Sequence, residues 1–495
     1  MVLNMDKFKK KNSKFAFYLS VTCLSIFIGG SVFNIFEGKF SNQKLNAAEV
    51  VNGVPVKDSG TLLATPPLPE EVKTAIDKAF KGAHDWPLTL DINKKKAKIE
   101  YAFNAQLDAY IRKLLKSYRS DYATVAVIDN ESGEVLAAVG VEGKTNTVDN
   151  NLVLTSTHPS ASLIKMVTSA ELIQNAKITR DAEFSFRGRS TTLFKYQLDE
   201  SRNTRWDKTQ DFETAFAKSN NVIFGKSAIK YSNIEKLTKM AENFGFNQPF
   251  IQELDFIQSH YGTAYDDYRL AEIASGFNDE TVISPIHGAM MASIMANNGI
   301  MKNPKVIAKI TDAASGETIW ENTAIERRVL QPETTKEMRE MMEMTVDGGT
   351  ARKSFGKMNT GYKNALLMGG KTGSITGGVP FGKRDWFAAY AIPRDQERGQ
   401  GISISVMNVN VKRWHVKSTM LAKNIIEYYY NEVRPVPITM VKMPRLARGR
   451  RGRVYKRGLA SSTSKKEYQS FQRRKRSGKK EIGRRNNERK SNATI

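Results

Sequence analysis

The stretch LTLDINKKKAKIEYAF (88–103) alternates apolar and polar residues on both sides of a polar break near Asn93, the pattern of two strands joined by a turn. The period then changes. In AQLDAYIRKLLKSY (105–118), Leu107, Tyr110, Ile111, Leu114 and Leu115 recur at helical spacing. A shorter amphipathic pattern predicts a helix over 70–83. ATVAVIDNESGEVLAAVG (123–140) sets two β-branched runs around Asp129–Gly133 and predicts a β-hairpin. A helix-rich middle follows, with helices expected over 162–175, 211–230, 233–245 and 284–298. Strand patterns return in ALLMGGKTGSI (365–375), DWFAAYAIP (385–393) and GISISVMNVNV (401–411), and 416–433 predicts a closing helix. Strands at both ends with helices between them predict one antiparallel sheet, helices packed against it, and an inserted helical lobe.

The two ends of the chain depart from this pattern. Phe15–Phe36 holds 22 residues without a charge, enough to span a ~30 Å hydrocarbon core. The lysines before it should stay cytoplasmic, which puts the remaining chain outside the cytoplasm. The length of the run, with no small-x-small site close behind it, predicts an uncleaved single-pass anchor in the cytoplasmic membrane. A cleaved signal peptide is the rival reading. Residues 441–495 carry +17 and residues 1–14 carry +4 of the net +25, so the middle of the chain is close to neutral. This removes the main support for nucleic-acid binding by the globular part. The terminal run has too few apolar residues to offset its ordering entropy and reads as a disordered basic tail. A tail of that charge, held outside the cytoplasm, would attach to an anionic polymer of the cell wall or remain solvated. The single cysteine, Cys23, excludes an internal disulfide. The expected organisation is a cytoplasmic basic segment (1–14), anchor (15–36), linker (37–65), small N-terminal region (66–119), main domain (120–434) and tail (441–495).

Candidate chemistry begins at HPSASLIKMVTS, where Ser162 stands three residues before Lys165. Ser-x-x-Lys occurs six times, so alone it separates neither a nucleophile from a helix cap nor one copy from another. At a helix start, residues i and i+3 share a face, so the Lys165 amine could reach the Ser162 hydroxyl. Two further patterns single this copy out. Ser219-Asn220-Asn221 lies 57 residues downstream of Ser162. Lys371-Thr372-Gly373 is the only Lys-Ser/Thr-Gly in the chain. Together, in this order, the three patterns form a serine acyl-transfer signature.

With these motifs, residues 120–432 resemble the transpeptidase domain of the penicillin-binding proteins. AVIDNESGEVLAAVG, AFAKSNNVIFG, ISPIHGAMMASIMANNGIM and GGKTGS…DWFAAYAIP carry the likeness. The resemblance implies an α+β fold with a central five-stranded antiparallel sheet and an all-helical lobe. It implies that Ser162 is the nucleophile, Lys165 its base, Ser219 a proton relay, and Asn221 a partner of the substrate amide and of Lys165. Lys371 would lower neighbouring pKa values and, with Thr372, hold the substrate carboxylate. Gly373 and Ser374 complete the substrate-binding strand, and the Ser162 and Ser374 N–H groups would form the oxyanion hole. The implied substrates are peptidoglycan stem peptides ending in D-Ala-D-Ala, with β-lactams as covalent inhibitors and no cofactor. No glycosyltransferase-like stretch precedes residue 120, so a bifunctional enzyme is not expected.

The resemblance leaves D,D-transpeptidase, D,D-carboxypeptidase and β-lactamase open. A non-catalytic β-lactam sensor or wall-binding scaffold is the alternative of another class. Glu253 lies where some β-lactamases place a deacylating glutamate. None of the five histidines has metal-ligand spacing, so no metal site is expected. Trp386 and Phe387 read as sheet packing, MREMMEMT (338–345) as core, and Asp347–Thr350 as a mobile loop near the site.

Overall fold

The computed structural model describes residues 49–51, 54–56, 68–201, 205–323, 325–395, 401–411 and 414–438. The apolar run 15–36 and the basic run 441–495 lie outside the described residues. Among those described, no helix is long and apolar enough to cross a membrane.

The elements that position the site are, in chain order, α1 (Glu70–Phe80), β1 (Thr89–Ile92), β2 (Lys95–Tyr101), α2 (Ala105–Tyr118), β3 (Tyr122–Asp129), β4 (Val135–Glu142) and β5 (Thr147–Val148). Then come α3 (Lys165–Gln174), α4 (Phe212–Ala217), α5 (Asn221–Tyr231), α6 (Asp267–Ser275) and α7 (Pro285–Ala296). They are followed by β6 (Ile307–Asp312), β7 (Thr318–Glu321), α8 (Pro332–Asp347), β8 (Leu366–Gly377), β9 (Gly382–Pro393), β10 (Ile402–Asn410) and α9 (Ser418–Tyr428).

The central sheet has six strands, in the order β8-β9-β10-β3-β4-β5, antiparallel throughout. The expected five are therefore joined by one more. It is the two-residue β5, where Thr147 and Val148 pair with Glu142 and Val141. A run of two residues is too short for an alternation signal to reveal it.

The period-2 patterning divides the core between the two faces of this sheet. Val125, Val127, Phe387, Ala389, Ile404 and Val406 face one way, against Leu107 and Ile111 of α2 and Leu421 and Ile425 of α9. Ala126, Ile128, Trp386, Ala388 and Tyr390 face the other, with Met166, Val167, Ile286 and Met290 of α3 and α7. All twelve residues of α7 are buried, because it is enclosed on every side. The strand pair foreseen at 88–103 forms with its turn at Asn93–Lys94, both at positive φ. Its partner was not legible: β6 and β7, from more than 200 residues later, extend it into a second sheet ordered β7-β6-β2-β1.

Candidate active site

Ser162 lies in a single 3₁₀ turn, Ala161–Ile164, that runs directly into α3 at Lys165. The nucleophile candidate is thus on the tight entry to the predicted helix. Ala161 has φ +48°, a left-handed conformation that costs an alanine roughly 1–2 kcal/mol. The turn is enforced from outside. Gly276, which ends α6 at φ +72°, packs so closely that a Cβ there would stand 1.9 Å from the Ala161 carbonyl oxygen. A Cβ at Gly373 would stand 3.2 Å from the Ala161 Cβ. Glycine therefore lets β8 lie against the same turn.

The Lys165 side chain is completely buried. Its Nζ is 2.8 Å from Ser162 Oγ, 2.7 Å from Asn221 Oδ1 and 2.5 Å from the carbonyl oxygen of Ser275. Burial first, and the Lys371 charge second, push its pKa well below the usual lysine value. A neutral amine has two hydrogens and one lone pair. Asn221 Oδ1 and the Ser275 carbonyl can only accept, so they take the two hydrogens. The lone pair that remains faces the Ser162 hydroxyl. Asn221 is itself oriented by donating from Nδ2 to the Thr191 carbonyl at 3.1 Å.

The predicted helix 211–230 is in fact two helices, and the break holds the second motif. α4 ends at Ala217 and α5 starts at Asn221, with Asn220 Oδ1 accepting from the Val222 and Ile223 N–H groups. This cap leaves Ser219 in the gap at φ +58°. Lys371, buried on β8, donates to Ser219 Oγ at 3.0 Å and to the Thr372 carbonyl at 3.2 Å. Burial lowers its pKa to about 7. Phe224 and Phe216 present ring faces to Lys165 and Lys371 at 5.4 and 5.2 Å.

All eight sequence-derived site residues thus converge. Ser162, Ser219, Asn221, Thr372 and Ser374 line one cleft of about 650 Å³. Lys165 and Lys371 lie beneath its floor, and Gly373 seats β8. The loop after α8 adds Thr350 to the cleft lining. Thr350 is 2.6 Å from Thr372 through their hydroxyls and donates from its N–H to the Ala217 carbonyl at 3.1 Å.

Residues not foreseen from sequence fix the approach to Ser162. Trp386 Nε1 donates to the Pro159 carbonyl at 3.0 Å. Arg384 is fully buried, and its guanidinium donates to the Gly377 and Pro380 carbonyls and to His158 Nδ1 (3.1 Å for His158). It so clamps the β8–β9 turn onto the segment preceding the nucleophile. His158 is held neutral, its pKa lowered to about 3 by burial and then by Arg384, and its Nε2–H donates to the Leu152 carbonyl at 3.2 Å. The one available signal was the charged run Lys383-Arg384-Asp385 opening an otherwise apolar strand.

Three motifs from three parts of the chain build one serine–lysine centre on this fold, and the family model for the penicillin-binding protein transpeptidase domain matches residues 123–427. The chain belongs to the penicillin-binding transpeptidase family. Stage V sporulation protein D of Bacillus subtilis is 24% identical over 316 residues, spanning 59% of this chain and 44% of that protein. Peptidoglycan D,D-transpeptidase PbpA of Mycolicibacterium smegmatis is 23% identical over 198 residues, 39% of each chain. The chain spans less than half the length of these curated relatives. Among solved structures, penicillin-binding protein A of Mycobacterium tuberculosis aligns with a TM-score of 0.53 at 17% identity, covering 67% of this chain and 82% of that one. Penicillin-binding protein 3 of the same organism, complexed with aztreonam, gives 0.55 at 17%, covering 69% and 80%.

Within this penicillin-binding fold Glu253 has a structural task. It is fully buried, and its Oε1 accepts from the Val306 N–H at 2.8 Å and the Ile307 N–H at 3.2 Å, pinning the start of β6. It does not line the cleft. Glu253→Ala is expected to destabilise the protein by roughly 1–3 kcal/mol for each orphaned N–H, read by thermal melting. The lifetime of any penicilloyl adduct should stay unchanged; a lengthened lifetime would make Glu253 a deacylating group after all. The Met-rich helix is core, with Met338, Met341 and Met342 buried. Trp386 and Phe387 pack the sheet, fully buried on opposite faces. Among the described residues no cluster of His, Cys, Asp and Glu could hold a metal ion.

Proposed function

We propose that this protein is a membrane-anchored peptidoglycan D,D-transpeptidase acting through an acyl-enzyme on Ser162. The observation that carries this reading is the arrangement at Lys165, whose buried Nζ lies within hydrogen-bond distance of Ser162 Oγ, Asn221 Oδ1 and the Ser275 carbonyl, so that the neutral amine has its lone pair left for the serine. Ser162 gives its proton to the Lys165 amine and attacks the carbonyl carbon of the D-Ala-D-Ala bond. The tetrahedral oxyanion takes the N–H groups of Ser162 and Ser374. Each such donor is worth about 3–4 kcal/mol in the transition state. The proton then passes from Lys165 through Ser219 to the leaving nitrogen, and D-Ala departs. The Lys371 ammonium, with Thr372, holds the terminal carboxylate. A neighbouring stem-peptide amine attacks the ester carbonyl and restores the Ser162 hydroxyl, completing a cross-link. Residues 15–36 place this chemistry outside the cytoplasmic membrane, and the basic run 441–495 attaches the protein to an anionic wall polymer.

The test is whole-protein mass spectrometry after incubation with benzylpenicillin, followed by peptide mapping. One penicilloyl adduct on the Ser162 peptide, stable over many minutes, is expected. No adduct would exclude an acyl-serine enzyme, and rapid loss would make the protein a β-lactamase. A D-Ala-D-Ala peptide supplied with an amine acceptor then separates aminolysis from hydrolysis. Predominant hydrolysis would make it a carboxypeptidase.

A further inference from the structure

Beyond the three motifs, the cleft wall formed by the β8–β9 hairpin carries Lys383, which faces Thr376 across the strand pair. Thr376 follows Ser374 by two residues on β8, so Lys383 stands about 7 Å further along the strand than Ser374. Two ammonium groups lie near the indole of Trp414, with Lys383 Nζ at 4.6 Å and Lys417 Nζ at 3.3 Å from the ring centroid. Trp414 Nε1 donates to the Val416 carbonyl at 3.1 Å, which fixes the ring. The two lysines lie within one Debye length (~8 Å) of each other, so their fields add. Lys417 also directly precedes α9, adding the positive end of an eleven-residue helix.

One carboxylate answers this charge, and it is already committed. Asp385 is buried, accepts from the Ser418 N–H at 2.7 Å and stands 3.5 Å from Lys417. Lys383 forms no ion pair among the described residues. Asp279 is the one acidic residue among those lining the cleft, against the two lysines Lys218 and Lys383. Cation–π attraction holds both ammonium groups to the indole, and Asp385 offsets Lys417, so Lys383 is the cation left to meet an anion. β8 is the edge strand of the sheet, and its free side faces the cleft. An extended peptide bound along it would carry the residue upstream of the scissile bond past Ser374 towards Thr376 and Lys383.

We propose that Lys383, Trp414 and Lys417 form an anion subsite that takes a side-chain carboxylate of the acyl donor, upstream of the bond attacked by Ser162. This rests on the acyl-serine reading above and specifies its donor. The experiment compares acylation of the full-length protein by benzylpenicillin and by its α-carboxy derivative, which adds one carboxylate to the side chain. The readout is the ratio of the two second-order rate constants, in which any general effect of a variant on the serine cancels. Lys383→Gln is expected to lower the ratio, carboxylated over uncarboxylated, by about 3-fold, the scale of an exposed ion pair. High salt should lower the wild-type ratio in the same way, and Lys383→Arg should preserve it. An unchanged ratio in Lys383→Gln overturns the subsite while leaving acylation intact. If neither compound acylates the wild type, the acyl-serine reading fails instead. The subsite is then decided by titrating D-Ala-D-Ala peptides bearing Glu or Gln at the upstream residue. Equal loss of affinity for both peptides in Lys383→Gln overturns it, and selective loss for the Glu peptide upholds it.

Discussion

Replacing Lys165 with methionine is expected to slow acylation of Ser162 by benzylpenicillin about 10³-fold, within the range for removal of a positioned general base. The same change is expected to raise thermal stability near neutral pH. Both effects follow from one feature. Lys165 is buried with a hydroxyl, an amide oxygen and a carbonyl for partners and no carboxylate. Its ammonium form is therefore disfavoured in the folded protein, whereas the unfolded chain protonates freely at this position up to about pH 10.4. Between the depressed folded pKa and the unfolded one, the unfolded state binds more protons, so wild-type stability rises with pH. Below the folded pKa the penalty is fully present, and above the unfolded pKa it vanishes. Methionine removes this dependence. Its stability advantage should be largest in acid and shrink as pH rises towards 10, which melting curves across pH will read. Acylation by Lys165→Met within 10-fold of wild type would show that another group takes the Ser162 proton.

The same burial explains which parts of the site the sequence reveals. Acyl transfer from a serine needs particular residue types, so Ser162, Lys165, Ser219, Asn221 and Lys371 show as short patterns whatever surrounds them. Their local elements were legible where one period persists, as in α2, whose limits Ala105–Tyr118 coincide with the helical stripe. The break between α4 and α5 was not seen, because AFAKSNNVIFG contains neither glycine nor proline before its centre. The clue was the cap residue Asn220, whose preference for helix starts is local and weak beside two apolar helical runs. Pairings between distant segments were beyond reach. The contact between Arg384 and His158 joins residues 226 apart, and β2 meets β6 across a similar gap. Hydrophobic period tells which face of an element is buried, but not what covers it. For the same reason nothing in the sequence links Lys383 to Trp414, which the fold brings together, with the Lys383 Nζ 4.6 Å from the ring centroid.

In Lys371→Met, the acid limb of the acylation pH profile is expected to move to higher pH, and the rate at its plateau to fall roughly 10- to 100-fold. The fall is the scale of one lost hydrogen bond to a charged group, here the carboxylate of the substrate. The limb shift has a separate cause. Acylation is lost in acid as Lys165 gains the proton that occupies its lone pair, and the nearby Lys371 charge opposes that gain. Without Lys371 the proton binds Lys165 more readily, so a higher pH is needed to clear it. Lys371 itself has its pKa lowered to about 7. In the free wild-type protein it therefore begins to shed its charge near neutrality, and kcat/KM should show an alkaline limb there that is absent in Lys371→Met. The two lysines are coupled, so the wild-type limbs belong to the pair rather than to either residue. Lys371→Arg separates charge from shape: a guanidinium keeps its charge across this range, so the acid limb should stay near its wild-type position even where the plateau falls. If the limb of Lys371→Met does not move, Lys371 does not set the protonation of Lys165, and its task is confined to binding the carboxylate and donating to Ser219.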